Sequence, residues 1–139
     1  MIVYLDTSSL VKLYIEEDES SKVDALVKSS DITATSLVAY AEVRAAFARR
    51  FREKAFPADE YNHMKEFFDK DWSRYFILNV TEDMIQQAGK LAEKHALRGF
   101  DSIHLASALT LHHELSSPIV FSCFDDKLQK ASERENLQG

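Results

Sequence analysis

Four acidic side chains stand where their surroundings could support phosphoryl chemistry. Asp6 directly follows the apolar run Ile2-Val3-Tyr4-Leu5, and Glu42 lies between Ala41 and Val43. Asp101 comes two residues after Gly99, and Asp125 two residues after the run 119–123. Carboxylates gathered at one place raise each other's pKa and cannot all stay ionised without compensation. Hard divalent cations are the natural compensation, because Mg2+ and Mn2+ take oxygen ligands and keep several waters. Such an ion activates water and stabilises charge on a phosphodiester under attack, and a pair of them holds the attacking and leaving oxygens together.

Each acid also has a plainer role. Asp6, Asp101 and Asp125 all suit helix N-caps, and Glu42 suits an exposed helix face. The roles can coincide, because a cap at a helix start sits where a strand edge presents its side chain. The joint pattern, rather than any single acid, carries the metal reading.

These residues meet only if the chain brings them to one edge. Residues 2–5 read as a strand buried on both faces, as in a parallel sheet. Leu10, Leu13 and Tyr14 then recur at helical spacing, giving a helix from Thr7 to about Glu17 and a short one over 19–29. A second strand spans 31–35. A long helix over 37–54 carries Tyr40, Val43, Phe47 and Phe51 on one face. Pro57 suits the first turn of the next helix, to about Arg74, with Phe67 and Phe68 as core residues. A third strand spans 76–80. The helix opening at Thr81 points Ile85, Ala88, Leu91 and Ala92 inward. Gly99 breaks the chain, and Asp101 starts a helix to about His113. A fourth strand, 119–123, precedes a last helix over 125–135. This alternation predicts an α/β chain: a three-layer α/β/α sandwich around a short parallel sheet. Its sites lie at the carboxyl ends of the strands.

A chain of 139 residues with 45% hydrophobic content fits one domain with a real core. No apolar run is long enough for a transmembrane helix, and the N-terminus lacks the features of a signal peptide. Cys123 is the only cysteine, so it reads as a buried structural thiol in a reducing, cytoplasmic protein. The net charge of -6 argues against a simple nucleic-acid coat, which would be basic. That objection weakens if some of the acids hold cations.

The motifs themselves resemble those of PIN-domain nucleases. Asp6-Thr7-Ser8-Ser9-Leu10 is similar to the opening motif, and Ala41-Glu42 to the second. The segment from Arg98 through Asp101 to Ala106 is similar to the third and is the most specific match. Phe124-Asp125-Asp126-Lys127-Leu128 is similar to the fourth. The likeness runs in order over nearly the whole chain, and among small members it looks closest to the VapC toxins of prokaryotic toxin–antitoxin pairs. The resemblance implies a ribonuclease that needs Mg2+ or Mn2+, with Asp6, Glu42, Asp101 and Asp125 as metal ligands. It also implies a cognate antitoxin that plugs the site, and a homodimer. Two positions depart from the pattern. Cys123 stands where the fourth motif usually has Thr or Ser, leaving Asp125 and Asp126 as alternatives for the fourth acid, with the Asp-x-x-Leu spacing favouring Asp125. The family's final edge strand is expected to be short or absent.

Other residues have two readings each. The segment Phe47–Lys54 is the one basic cluster; it suits RNA or antitoxin contact, or an ordinary solvated helix face. Arg44 could face a phosphate or neutralise local acids. Ser8 could hydrogen-bond to Asp6 or cap the first helix. His104 reads as a satisfied core histidine, and His112, His113 and Glu114 as a helix end without zinc spacing. A non-catalytic RNA- or protein-binding module of the same fold is the alternative to the nuclease. A phosphotransferase using Asp6 as nucleophile is disfavoured, because Ser8 occupies the place of the second Asp such enzymes carry.

Overall fold

In the computed structural model, which describes residues 1–139, Ile2–Leu5 forms β1 and is buried along its whole length. Side chains alternate across a strand, so β1 serves two cores at once. Val3 and Leu5 face one layer, and Ile2 and Tyr4 face the other. Around it stand β2 (Ile32–Ser36), β3 (Phe76–Leu78) and β4 (Ile119–Ser122), all parallel, in the order β3-β2-β1-β4. Apolar residues of α1 (Thr7–Lys12), α2 (Ser20–Ser29), α3 (Ala39–Arg52) and α4 (Ala58–Trp72) pack with Val3 and Leu5. Residues of α5 (Glu82–His95), α6 (Gly99–Leu115) and α7 (Asp126–Arg134) pack with Ile2 and Tyr4 on the opposite face. The three-layer arrangement expected from the alternation is the one observed.

The strand order also places a crevice. After β1 the chain enters the α1 layer, and after β4 it enters the α7 layer. Adjacent strands whose connections leave in opposite directions open a gap at their carboxyl ends, where ligands bind in such sheets. The gap lies between β1 and β4, and Asp6 and Asp125 stand at its two sides.

Several local expectations are corrected. Phe67 is 63% exposed and Phe68 carries the core contact instead; the α4 face that points inward is set by Met64 and Phe68, four residues apart. Ile85 is likewise exposed, whereas Ala88 and Leu91 are buried. The first helix stops at Lys12 rather than near Glu17. The break before α6 falls at Ala96, which adopts a left-handed conformation (φ 55, ψ 46), and Gly99 is the first residue of the helix. Asp101 is therefore inside the first turn, and Arg98 holds the N-cap position. The final edge strand is reduced to one parallel bridge between Gln138 and Val120. No helix is long and apolar enough to cross a membrane.

Candidate active site

Asp6 ends β1 and caps α1. Its Oδ1 accepts hydrogen bonds from the Ser9 amide at 3.0 Å and the Ser8 hydroxyl at 2.7 Å, so Ser8 bonds Asp6 and it is Asp6, not Ser8, that caps the helix. Ser9 braces the same corner from below. Its hydroxyl donates to the Ser122 carbonyl at 2.8 Å and lies 2.9 Å from the Ser122 hydroxyl, which ties α1 to β4. Asp6 is only 4% exposed. Burial pushes its carboxyl above the ordinary range, His104, Ser8 and Ser9 draw it back, and the negative charge of Asp101 raises it further.

Glu42 lies in the first turn of α3, next to the β1 edge. Its Oε1 accepts from the Thr7 hydroxyl and from His104 Nε2, the latter at 3.0 Å. Burial alone would raise this carboxyl, but the bonds from His104 and Thr7 outweigh it and hold it below the usual range. Asp101, in the first turn of α6, accepts from Arg98 Nε at 3.0 Å. Asp125 caps α7, its Oδ1 accepting from the Leu128 amide at 2.9 Å.

A regularity emerges from these bonds. Each of the four carboxylates gives one oxygen to protein donors and keeps the other without one: Oδ2 of Asp6, Oε2 of Glu42, Oδ1 of Asp101 and Oδ2 of Asp125. All four line one cleft of about 660 Å³. Asp126 does not line it, which favours Asp125 as the fourth acid. A second hollow of about 530 Å³ lies at the amino ends of β2 and β3, beside Asp31, Ile32 and Phe76. It contains none of the four acids.

The cleft is lined by bases as well as acids. Lys12, Arg49, Arg50, Arg52 and Arg98 line it together with Asp6, Glu17, Glu42, Asp101 and Asp125, so five bases meet five acids there. The whole-chain charge of -6 therefore does not describe the cleft. Lys12 and Arg50 pair with Glu17, at 3.0 and 3.1 Å, whereas Arg49 and Arg52 have no acidic partner and extend the basic end of α3. Arg44 turns away: it bonds the Tyr40 hydroxyl at 2.8 Å and approaches Asp69 at 3.4 Å. Phe47 is core, and Phe51 stacks on Tyr61 at 4.5 Å, so the aromatics of the basic segment build the helix packing.

A divalent cation fits this set by its chemistry. The available donors are carboxylate oxygens, which hard cations prefer, and the free oxygen of each acid is the atom such an ion would engage. Asp6 is buried and sits near a second carboxylate, the state a cation relieves. As they stand, no three acidic, histidine or cysteine side chains are grouped closely enough to hold a metal ion. Cys123 is buried, and its thiol, pushed up to about 12 by burial and then by Asp6, donates toward Gln129 Oε1 at 3.4 Å. It is a structural thiol, as expected, and contributes nothing to the cleft.

Two participants escaped the sequence reading. Thr7 has no role in the sequence beyond its place in the opening motif, yet its hydroxyl grips Glu42. His104 is a buried, satisfied histidine, as expected, but one of the groups that satisfies it is Glu42. Its position, three residues after Asp101 and so near it on the helix, was the only signal available.

Comparison with known proteins identifies the family and the fold. The family model described as PIN domain matches residues 3–133. Ribonuclease VapC45 of Mycobacterium tuberculosis (strain CDC 1551 / Oshkosh) is 39% identical over 110 residues, covering 79% of this chain and 76% of the relative. Ribonuclease VapC49 of Mycobacterium tuberculosis strain H37Rv matches equally. Among solved structures, Mycobacterium tuberculosis VapC20, described as a Sarcin-Ricin loop cleaving toxin, superposes with a TM-score of 0.68 at 16% identity, covering 93% of this chain and 94% of that one. VapBC2 from Rickettsia felis, bound to a promoter DNA fragment, gives 0.64 at 17% identity over 99% and 96%.

Proposed function

The chain belongs to the PIN-domain family, and on that premise we propose that it is a Mg2+- or Mn2+-dependent endoribonuclease, the toxin of a type II toxin–antitoxin pair. One observation carries the reading: four carboxylates, each with one oxygen free of protein donors, line a single cleft that also holds five basic side chains. Asp6, Glu42, Asp101 and Asp125 are the residues that would hold the ion. When bound, a divalent ion supplies Lewis acidity and lowers the pKa of water.

The chain's own residues do the rest. Ser8 and Ser9 aim Asp6, and Thr7 and His104 aim Glu42, so neither acid needs to search rotamers before binding. Arg49 lies about 10 Å along α3 from Glu42 and Arg52 about 15 Å, at 1.5 Å per residue. Two guanidinium groups without an acidic partner in the same cleft support a role in holding backbone phosphates beside a scissile bond. Guanidinium forks suit phosphate oxygens, and RNA read in such a cleft is recognised through shape and backbone contacts. An antitoxin that covers the cleft and a second copy of the toxin complete the proposed assembly; toxin–antitoxin complexes among the structural relatives support the first.

The test is cleavage of varied RNAs by purified protein with Mn2+ and with a chelator. Asp6→Asn should lower cleavage by at least about 100-fold, as for loss of a preorganised charge at a reacting centre, with the fold intact by circular dichroism. Wild type that cuts no RNA with Mn2+, or Asp6→Asn that cuts as well, ends the proposal. The binding-module reading draws on the departure at Cys123, whose thiol serves packing. Calorimetry separates it: Mn2+ binding that does not depend on Asp6 and Asp101 would favour that module.

A further inference from the structure

A chain of polar groups runs from the apolar core into the cleft beneath Glu42. It begins at Tyr4 on β1, which is fully buried, stacks on Phe121 at 5.5 Å and meets His104 edge-on at 5.8 Å. The Tyr4 hydroxyl lies 2.8 Å from His104 Nδ1. His104, on α6 and 2% exposed, reaches Glu42 Oε1 with Nε2 at 3.0 Å, and Thr7 Oγ1 lies 3.2 Å from the same nitrogen.

The bonding roles follow from what each group can do. A neutral imidazole has one donor and one acceptor nitrogen, and an ionised carboxylate only accepts. Nε2 must therefore carry the hydrogen that goes to Glu42. In the neutral ring Nδ1 is then left as the acceptor, and the Tyr4 hydroxyl is the donor that meets it. Tyr4 thus selects the tautomer, and the tautomer orients the acid. With Thr7 donating to the same Oε1, both grips fall on one oxygen and Oε2 stays unengaged. Both ring nitrogens being taken, His104 is not placed to be a ligand itself.

We propose that His104 is a positioning residue which, with Tyr4 behind it, holds the Glu42 carboxylate so that its second oxygen is presented to the divalent-ion site. The inference rests on the reading of the cleft given above. Partners that hydrogen-bond a metal-binding carboxylate are worth about 10- to 100-fold in affinity, and a core histidine serving packing alone would be worth nothing there.

The experiment combines Mn2+ calorimetry, RNA cleavage and nitrogen NMR of the imidazole on wild type, His104→Leu, His104→Gln, Tyr4→Phe and Asp6→Asn. His104→Leu removes the donor and should weaken Mn2+ about 10-fold or more, with cleavage falling in parallel. His104→Gln puts an amide donor near the place of Nε2 and should recover most of both. Tyr4→Phe should lie between, and the NMR should show one Nε2–H tautomer in wild type that becomes mixed in Tyr4→Phe. Wild-type Mn2+ affinity in His104→Leu, no recovery in His104→Gln, or an Nδ1–H tautomer in wild type overturns the inference while leaving the active site standing. Wild type that binds no Mn2+, or Asp6→Asn that binds it as well, overturns the active-site reading and this inference with it. If His104→Leu fails to fold, the wild-type tautomer and the Tyr4→Phe affinity decide.

Discussion

At the C-terminal end of α5, Lys94 and His95 both meet Glu135, at 2.6 and 2.7 Å. In the cleft, only Asp101 of the four carboxylates is paired with a lysine or arginine, Arg98. Glu135 is held below the ordinary carboxylate range, first by its bond from Lys94 and then by His95. Asp6 is held above it by burial, with Asp101 adding to the rise. The two clusters use the same residue types with opposite outcomes. Where acid and base are matched locally, the group serves to fasten α5 to the end of α7, although His95 Nδ1 is buried without a partner. Where acids outnumber the bases that touch them, the surplus is a standing demand for a cation. Glu42 shows that the cleft is not uniform: its two donors hold it ionised at the place where Asp6 resists ionisation.

The contrast can be broken most sharply at its fourth acid. Asp125→Asn should lower Mn2+-dependent cleavage about 100-fold while leaving the melting temperature unchanged, because Asn caps helices as well as Asp. Asp126→Asn, outside the cleft, should change cleavage less than about twofold, as for a surface substitution. Equal losses in single-turnover assays would erase the distinction between the two. The next effect is on stability: Mn2+ at about 100 times its dissociation constant should stabilise the fold by about 2.7 kcal/mol, seen as a raised melting temperature relative to chelator. Glu135→Gln should show the same increment, since that cluster has no part in holding the ion.

A smaller effect is expected at the basic side chains of the cleft. Arg49→Ala with Arg52→Ala should raise the KM for RNA about fivefold and flatten its salt dependence, because each lost phosphate contact releases fewer counterions; kcat should hardly move. The smallest belongs to the matched cluster. Glu135→Gln should cost about 0.5 to 1 kcal/mol by urea denaturation at neutral pH, the range for a partly exposed pair. A depressed carboxyl pKa contributes stability above the unfolded value and loses it as pH falls through the folded one. The gap between wild type and Glu135→Gln should therefore close in acid, and a gap that persists there would assign the contact to packing.

Much of this was legible along the chain. The apolar run at residues 2–5 announced a central buried strand, and Asp6 after it announced a strand-end acid. The third motif held its meaning even though the helix begins at Gly99 rather than Asp101. What was missed turned on orientation. Phe67 and Phe68 are adjacent and equally apolar, and only the α3–α4 contact decides that Phe68 goes in. Ala96 in a left-handed turn has no compositional signal, since glycine would be the residue that advertises it. Arg44 is two residues from Glu42, a spacing that puts it on another face of α3, where it meets Asp69 of the neighbouring helix.

Period and residue type, which are local, determined the elements, the order of the strands' capping acids and the family's four motifs. Tertiary structure alone decided which oxygen of each acid is spoken for, that Asp125 rather than Asp126 faces the cleft, and that His104 joins Tyr4 to Glu42 across three separate elements. Those facts depend on helices and strands distant in sequence being held within hydrogen-bond reach, and hydrogen bonds fail over fractions of an ångström. A pattern in one dimension carries periodicity but not that distance.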